Sequence, residues 1–97
     1  MAMEFQSMSL MEAKEFLYRK DCVFVDLREK EEYQAGHLVG AINIPYEILP
    51  EKKHMLKGYQ MVFLYCERGN KSLLAARDLA KEGYPVINIW GGIKGMG

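Results

Sequence analysis

Cys66 is the residue of this 97-residue chain whose surroundings are best suited to chemistry. An apolar stretch over residues 61–65 leads into it, and a short polar stretch with Glu67, Arg68 and Lys71 follows it. The backbone N–H groups of a tight loop, and of a helix behind that loop, converge on the loop's centre. Cysteine thiols ionise more readily in such settings and beside cations. With two cations against one acid, the loop suits a nucleophilic thiolate that meets a small anion.

The same position also suits an unreactive cysteine. A cysteine that follows a buried strand is often a small apolar side chain packed beneath a loop. The loop after Cys66 contains no apolar residue, which favours an exposed thiol, but the residues alone leave a catalytic or carrier role and a core role both open. Cys22 begins an apolar run and has only Lys20 as a nearby cation, so we interpret it as a core thiol.

The elements that must position Cys66 alternate between strand and helix patterns, which predicts an α/β fold with a largely parallel sheet. In such sheets, ligands bind outside the carboxyl ends of the strands, which is where Cys66 falls. Strand patterns are present at 4–8, 22–25, 41–44, 61–65 and 86–89. Helix patterns are present at 9–20, which starts with a capping box, and at 29–35, 46–56 and 72–82, the last with Leu73, Ala76, Leu79 and Ala80 on its inner face.

Composition argues against several classes of function. With 13 basic and 13 acidic residues and a formal net charge of zero, the chain is not suited to broad binding of nucleic acid or an anionic membrane. It has no apolar run near the roughly 18 residues that a membrane-spanning helix needs, and no signal-peptide pattern, so we expect a cytoplasmic protein. Two cysteines are too few for a disulfide framework and lack metal-site spacing, and we expect neither a metal nor a cofactor. The length predicts a single domain over residues 1–97.

Three groups of residues, at 23–45, 62–72 and 89–93, resemble in this order the motifs of the rhodanese family of single-domain, thiosulfate sulfurtransferase-like proteins. Residues 23–29 (VFVDLRE), 32–33 and 36–45 (GHLVGAINIP) resemble the family's first signature. Residues 62–72 (VFLYCERGNKS) resemble its active-site strand and loop, and residues 89–93 (IWGGI) resemble its closing glycine motif. Together they cover nearly the whole chain, which makes the resemblance specific.

The resemblance implies a three-layer α/β fold in which helices flank a central, mostly parallel sheet of about five strands. It also implies that Cys66 attacks the outer sulfur of a donor such as thiosulfate, releases sulfite, and passes the sulfur from a persulfide to a thiol or to cyanide. The expected partners are therefore a small-molecule sulfur donor and a thiol or protein sulfur acceptor. The residues expected to bind the substrate are those of the loop, Glu67, Arg68, Gly69, Asn70, Lys71 and Ser72, together with Arg28.

The sequence departs from the family pattern at two places. Lys71 stands where many active members carry Arg, Thr or Ser, which leaves the preferred donor open. The chain ends at Gly97, where the family usually continues into a final helix, so we expect that helix to be short or absent.

Three side chains outside the loop have competing interpretations. Asp26 suits a structural role, because a short carboxylate at a strand end satisfies loop N–H groups. For Arg28, attraction of an anionic donor and support of its own loop are both open. We interpret His37 as structural, because a thiolate at a helix end needs no base.

Two other functions compete with sulfur transfer. Phosphatases and arsenate reductases of related fold use a loop of cysteine, five residues and arginine, and that arginine would fall at position 72, where this chain has Ser72 and lacks the bidentate guanidinium that phosphate needs. Non-catalytic binding or regulatory modules of the same fold often lack the loop cysteine, which is present here. A sulfurtransferase is therefore the predicted function, with these two as alternatives.

Overall fold

The computed structural model describes residues 5–93, and within this range five parallel strands form one sheet. The strands are β1 (Gln6–Met8), β2 (Cys22–Asp26), β3 (Ile42–Asn43), β4 (Met61–Tyr65) and β5 (Val86–Ile89), in the spatial order β1-β5-β4-β2-β3. This confirms the predicted fold class. The expectation of a short or absent final helix concerns residues 94–97, which lie outside the described range.

Strand register brings two loops to one edge of the sheet. Strand β2 pairs with β4 from Cys22 and Met61 to Asp26 and Tyr65, so both strands end at the same level. The N–H of Leu27 continues the ladder by donating to the carbonyl of Tyr65 at 2.9 Å. The loop after β2 and the loop after β4 therefore start side by side, at the carboxyl edge where ligands bind in parallel sheets.

Helices and apolar side chains cover both faces of the sheet. The helices are α1 (Leu10–Ala13), α2 (Lys30–Ala35), α3 (Leu49–Lys52) and α4 (Asn70–Lys81), with 3₁₀ turns at Lys14–Phe16, Tyr46–Ile48 and Lys53–Leu56. One core places α3 and α4 against Val23, Val25 and Leu64. The other places α1 against Phe24 and Phe63. None of these helices is long and apolar enough to cross a membrane, as far as residues 5–93 are concerned.

The first helix is shorter than its sequence pattern predicts. The capping box is present, since the N–H of Glu12 donates to Ser9 Oγ at 3.1 Å and the N–H of Ser9 donates to Glu12 Oε1 at 2.9 Å. The α-helix nevertheless ends at Ala13 and tightens into a 3₁₀ turn rather than continuing to residue 20. This turn places the Phe16 ring 5.3 Å from the Phe63 ring, so packing on the sheet decides where the helix ends. The pattern at 46–56 is likewise divided into two 3₁₀ turns around the short α3.

Helix α4 begins at Asn70, two residues earlier than the sequence pattern predicts. Gly69 is its N-cap, with φ +96°, and this left-handed backbone lets the chain turn directly from the loop into the helix. The predicted inner face was wrong at Leu73, which is 46% exposed. The buried stripe is instead made by Ser72, Ala75, Ala76, Leu79 and Ala80, and Leu73 lies at its edge.

Candidate active site

Cys66 is the first residue after β4, and two backbone N–H groups of the loop contact its sulfur. The N–H groups of Gly69 and Ser72 lie 3.1 Å and 3.4 Å from Sγ and donate to it. The N–H of Ser72 belongs to the first turn of α4 and has no partner within the helix, so the sulfur takes the place of a helical acceptor. The thiol itself donates to Ser72 Oγ at 3.6 Å.

The expectation of an exposed thiol was wrong, because Cys66 is only 4% exposed. Loop N–H groups contact the sulfur on one side, and Cys66 also belongs to the buried apolar cluster that includes Val25 and Leu64. Cys66 nevertheless lines a cavity of about 270 Å³. This volume is below the range typical of pockets for drug-sized ligands, and it suits a small molecule or the tip of an extended thiol.

The cavity brings most of the predicted substrate-binding residues together around Cys66. Gly69 and Ser72 contact the sulfur directly, and Glu32 is a cavity residue that the sequence analysis missed. Glu32 lies within the first signature that resembles the rhodanese family, and this position could have identified it as a site residue. The other residues that line the cavity are Arg28, Glu67, Arg68, Asn70 and Lys71.

Arg28 reaches the cavity, but the protein itself occupies most of its guanidinium. Its Nη2 lies 2.8 Å from Oδ2 of the buried Asp26 and also donates to the carbonyl of Gly36 at 2.6 Å. Its own backbone N–H donates to Asp26 Oδ1 at 2.9 Å. Hydrogen bonding to Asp26 is the main cause that raises the pKa of Arg28 above its ordinary value. Asp26 therefore holds this loop in place, and these contacts favour the supporting interpretation of Arg28.

The two loop cations are also paired with carboxylates. Lys71 Nζ lies 3.2 Å from Glu47 Oε2, and this hydrogen bond is the main cause that raises the pKa of Lys71. Arg68 Nε lies 3.9 Å from Glu67 Oε2 in a looser and more exposed contact. Glu47 lies in the 3₁₀ turn after β3, far from the loop in sequence. The positive surplus expected from the loop sequence is therefore offset by a carboxylate that the sequence analysis did not place nearby.

A buried polar contact joins the loop to β5. Ser72 Oγ donates to Asn88 Oδ1 at 2.7 Å, and it also lies 3.2 Å from the carbonyl oxygen of Gly69. Asn88 pairs with Leu64 in the sheet register, which places it beside the strand that leads to Cys66. Asn88 was not among the residues predicted from the sequence. The signal that could have found it is a single polar residue within the apolar run of β5.

The closing glycine motif packs directly against the carbonyl side of the loop. The N–H of Ile93 donates to the carbonyl of Cys66 at 3.0 Å. Gly92 has φ +66°, and a Cβ atom on it would lie 2.3 Å from the carbonyl oxygen of Glu67 and 2.5 Å from that of Cys66. The backbone approaches this closely only because residue 92 has no side chain. The motif therefore shapes the loop that holds the sulfur.

Cys22 and His37 lie outside this arrangement. Cys22 is half-buried, its thiol donates to Asp21 Oδ1 at 3.5 Å, and burial raises its pKa. His37 stacks on Tyr33 with ring centroids 3.7 Å apart, and its Nδ1 lies 2.7 Å from the carbonyl oxygen of Tyr33. Neither side chain lines the cavity beside Cys66. No group of three or more potential ligands is placed to hold a metal ion in the part of the chain that the structure describes.

Known proteins with similar sequences and structures identify the family and the fold. The family model described as Rhodanese-like domain matches residues 9–96. The Bacillus subtilis protein YqhL is 40% identical over 81 residues, which cover 82% of this chain and 64% of YqhL. Thiosulfate sulfurtransferase GlpE of Coxiella burnetii is 27% identical over 93 residues, which cover 95% of this chain and 87% of GlpE. A crystal structure of a rhodanese-like domain protein from Staphylococcus aureus matches with a TM-score of 0.85 and 26% identity, over 96% of this chain and 92% of that chain.

Proposed function

Because the chain belongs to the rhodanese-like domain family, we propose that it is a sulfurtransferase that carries a sulfane sulfur as a persulfide on Cys66. The observation that carries this proposal is the environment of the sulfur. Two backbone N–H groups donate to Cys66 Sγ, and a small cavity opens beside it. Such donors stabilise negative charge on sulfur at every stage of a transfer.

The proposed reaction has two displacements at sulfur. In the first, the Cys66 thiolate attacks the outer sulfur of thiosulfate or a similar donor, a new S–S bond forms, and the old S–S bond breaks as sulfite leaves with the bonding electron pair. In the second, an acceptor thiolate or cyanide attacks the outer sulfur of the persulfide. The electron pair returns to Cys66 as a thiolate. Electrons move only among the reacting groups, so the proposed cycle needs no cofactor.

The proposed partners follow from the cavity and the charge. A cavity of about 270 Å³ suits a small sulfur donor, and its opening would admit a low-molecular-weight thiol or a cysteine on another protein as acceptor. A formal net charge of zero gives no basis for nucleic-acid binding. Both cysteines are unbridged, as a working thiol in the reducing cytoplasm requires. The name of GlpE supports thiosulfate as a donor. The chain spans less than two thirds of the length of YqhL, so the proposal does not draw on YqhL.

Replacing each cysteine separately tests the proposal. Cys66→Ser should abolish both thiosulfate-to-cyanide transfer and the mass gain of one sulfur atom after exposure to thiosulfate or polysulfide. Cys22→Ser is the matched control and should retain both, because Cys22 does not line the cavity. Folding of both variants is checked by circular dichroism. Equal loss in two folded variants would contradict a single carrier cysteine.

Assays of the same proteins distinguish the alternatives. A folded wild type that takes up no sulfur from any donor would favour a non-catalytic binding module. Hydrolysis of p-nitrophenyl phosphate that depends on Cys66 would favour a phosphatase. We expect no such hydrolysis, because the buried Ser72 occupies the position that an arginine would need.

A further inference from the structure

The hydroxyl of Ser72 has more acceptors nearby than it has protons. Its oxygen lies 2.7 Å from Asn88 Oδ1, 3.2 Å from the Gly69 carbonyl and 3.6 Å from Cys66 Sγ. A hydroxyl donates one hydrogen bond. In the thiol state the groups form one consistent chain, in which the Cys66 thiol donates to Ser72 and Ser72 donates to Asn88. This order gives the thiol proton and the hydroxyl proton one acceptor each.

The direction of these hydrogen bonds must reverse when Cys66 loses its proton, because a thiolate or persulfide sulfur accepts hydrogen bonds. The Ser72 hydroxyl can donate to the charged sulfur only if its proton turns from Asn88 Oδ1 towards Cys66 Sγ. Two oxygen atoms without a proton between them would then face each other at 2.7 Å. That arrangement is unfavourable for groups that are 0% and 3% exposed, because water cannot relieve it.

We propose that Asn88 is a positioning residue for sulfur transfer, whose carboxamide presents Oδ1 to Ser72 in the thiol state and Nδ2 in the thiolate and persulfide states. With Nδ2 as donor, the Ser72 oxygen accepts and its proton is directed to the reacting sulfur. This inference rests on the proposed sulfurtransferase function. It identifies a role for a residue that does not line the cavity and acts only through Ser72.

Two features make an asparagine suited to this task. A carboxamide carries an acceptor and a donor on one side chain, whereas a carboxylate or an apolar side chain lacks the donor. The terminal torsion of asparagine is also broad, so the amide turns over without a strained rotamer. Pairing with Leu64 in the sheet holds the Asn88 backbone still while the amide turns.

A double-mutant cycle tests the proposal. Persulfide formation from thiosulfate is followed in single turnovers for the wild type, Asn88→Leu, Ser72→Ala and the double variant. Asn88→Leu keeps a similar shape and should slow the chemical step by about threefold to tenfold, the range for one lost hydrogen bond, with the donor's half-saturating concentration unchanged. In the Ser72→Ala background the same change should cost less than about twofold, because Asn88 then has nothing to orient. The proposal would be overturned if Asn88→Leu slowed the chemical step equally in both backgrounds, or if it changed only the half-saturating donor concentration.

Conservative variants keep the test decisive if Asn88→Leu does not fold, which cooperative urea unfolding would reveal. An ionised aspartate at position 88 accepts but cannot donate, so Asn88→Asp, assayed at a pH where that carboxyl is ionised, should slow transfer at least as much as Ser72→Ala. In a Ser72→Thr background, which retains the hydroxyl, Asn88→Leu should again slow the chemical step by about threefold to tenfold, unlike in the Ser72→Ala background. Wild-type transfer by Asn88→Asp overturns the positioning role alone. Absence of persulfide on the wild type would instead remove the proposed function itself.

Discussion

Replacing Gly92 with alanine should destabilise the protein and displace the loop that holds Cys66. The added Cβ would lie 2.3 Å from the Glu67 carbonyl oxygen and 2.5 Å from that of Cys66. Both are backbone atoms, so no flexible side chain can move aside. A left-handed non-glycine residue costs about 1–2 kcal/mol, and overpacking adds about 1–3 kcal/mol. The combined loss of about 2–5 kcal/mol is a large part of the roughly 5–15 kcal/mol that stabilises a typical domain.

Gly91→Ala is the matched control for this prediction. Gly91 has φ +82°, and a Cβ on it would have no atom within 4 Å, so only the backbone cost of about 1–2 kcal/mol applies. The free energy of unfolding is measured by urea titration, and persulfide formation is measured on the folded fraction. Gly92→Ala should be the less stable variant and should lose transfer by about tenfold or more, the factor for roughly 1.4 kcal/mol in a barrier, while Gly91→Ala retains it. Equal stability of the two variants, or wild-type transfer by Gly92→Ala, would refute the reasoning.

Two further predictions concern charge and pH. Glu47→Gln frees Lys71 for a negatively charged donor, so kcat/KM for thiosulfate at low salt should rise by about twofold to fivefold. Glu82→Gln breaks the exposed pair with Lys53 instead and should leave kcat/KM unchanged; a rise in both variants, or in neither, counts against the idea. Burial raises the pKa of Tyr65 above that of the unfolded chain, which is about 10. Above that pH the unfolded state loses a proton that the folded state keeps, so stability falls as pH rises. Urea unfolding at about pH 9 and about pH 11 should show a smaller loss for Tyr65→Phe than for the wild type, and equal losses would contradict the assignment.

The sequence by itself determined the order of elements, the α/β class and the position of Cys66. These features depend on short-range patterns. Apolar runs of strand length mark β2, β4 and β5, and the capping box at Ser9 and Glu12 marks the start of α1. Because parallel strands share a carboxyl edge, placing Cys66 directly after one strand was enough to predict where a site would form.

Only the tertiary structure decided which groups surround the sulfur. Glu47 pairs with Lys71 across 24 residues of chain, and Asn88 reaches Ser72 across 16. Both contacts exist because β5 lies beside β4 and the 3₁₀ turn after β3 lies near α4. The burial of Cys66 has the same origin, since it belongs to an apolar cluster with side chains from β2, α3 and α4. Local pattern carries no information about such pairs, because packing between elements, rather than periodicity within them, brings these side chains together.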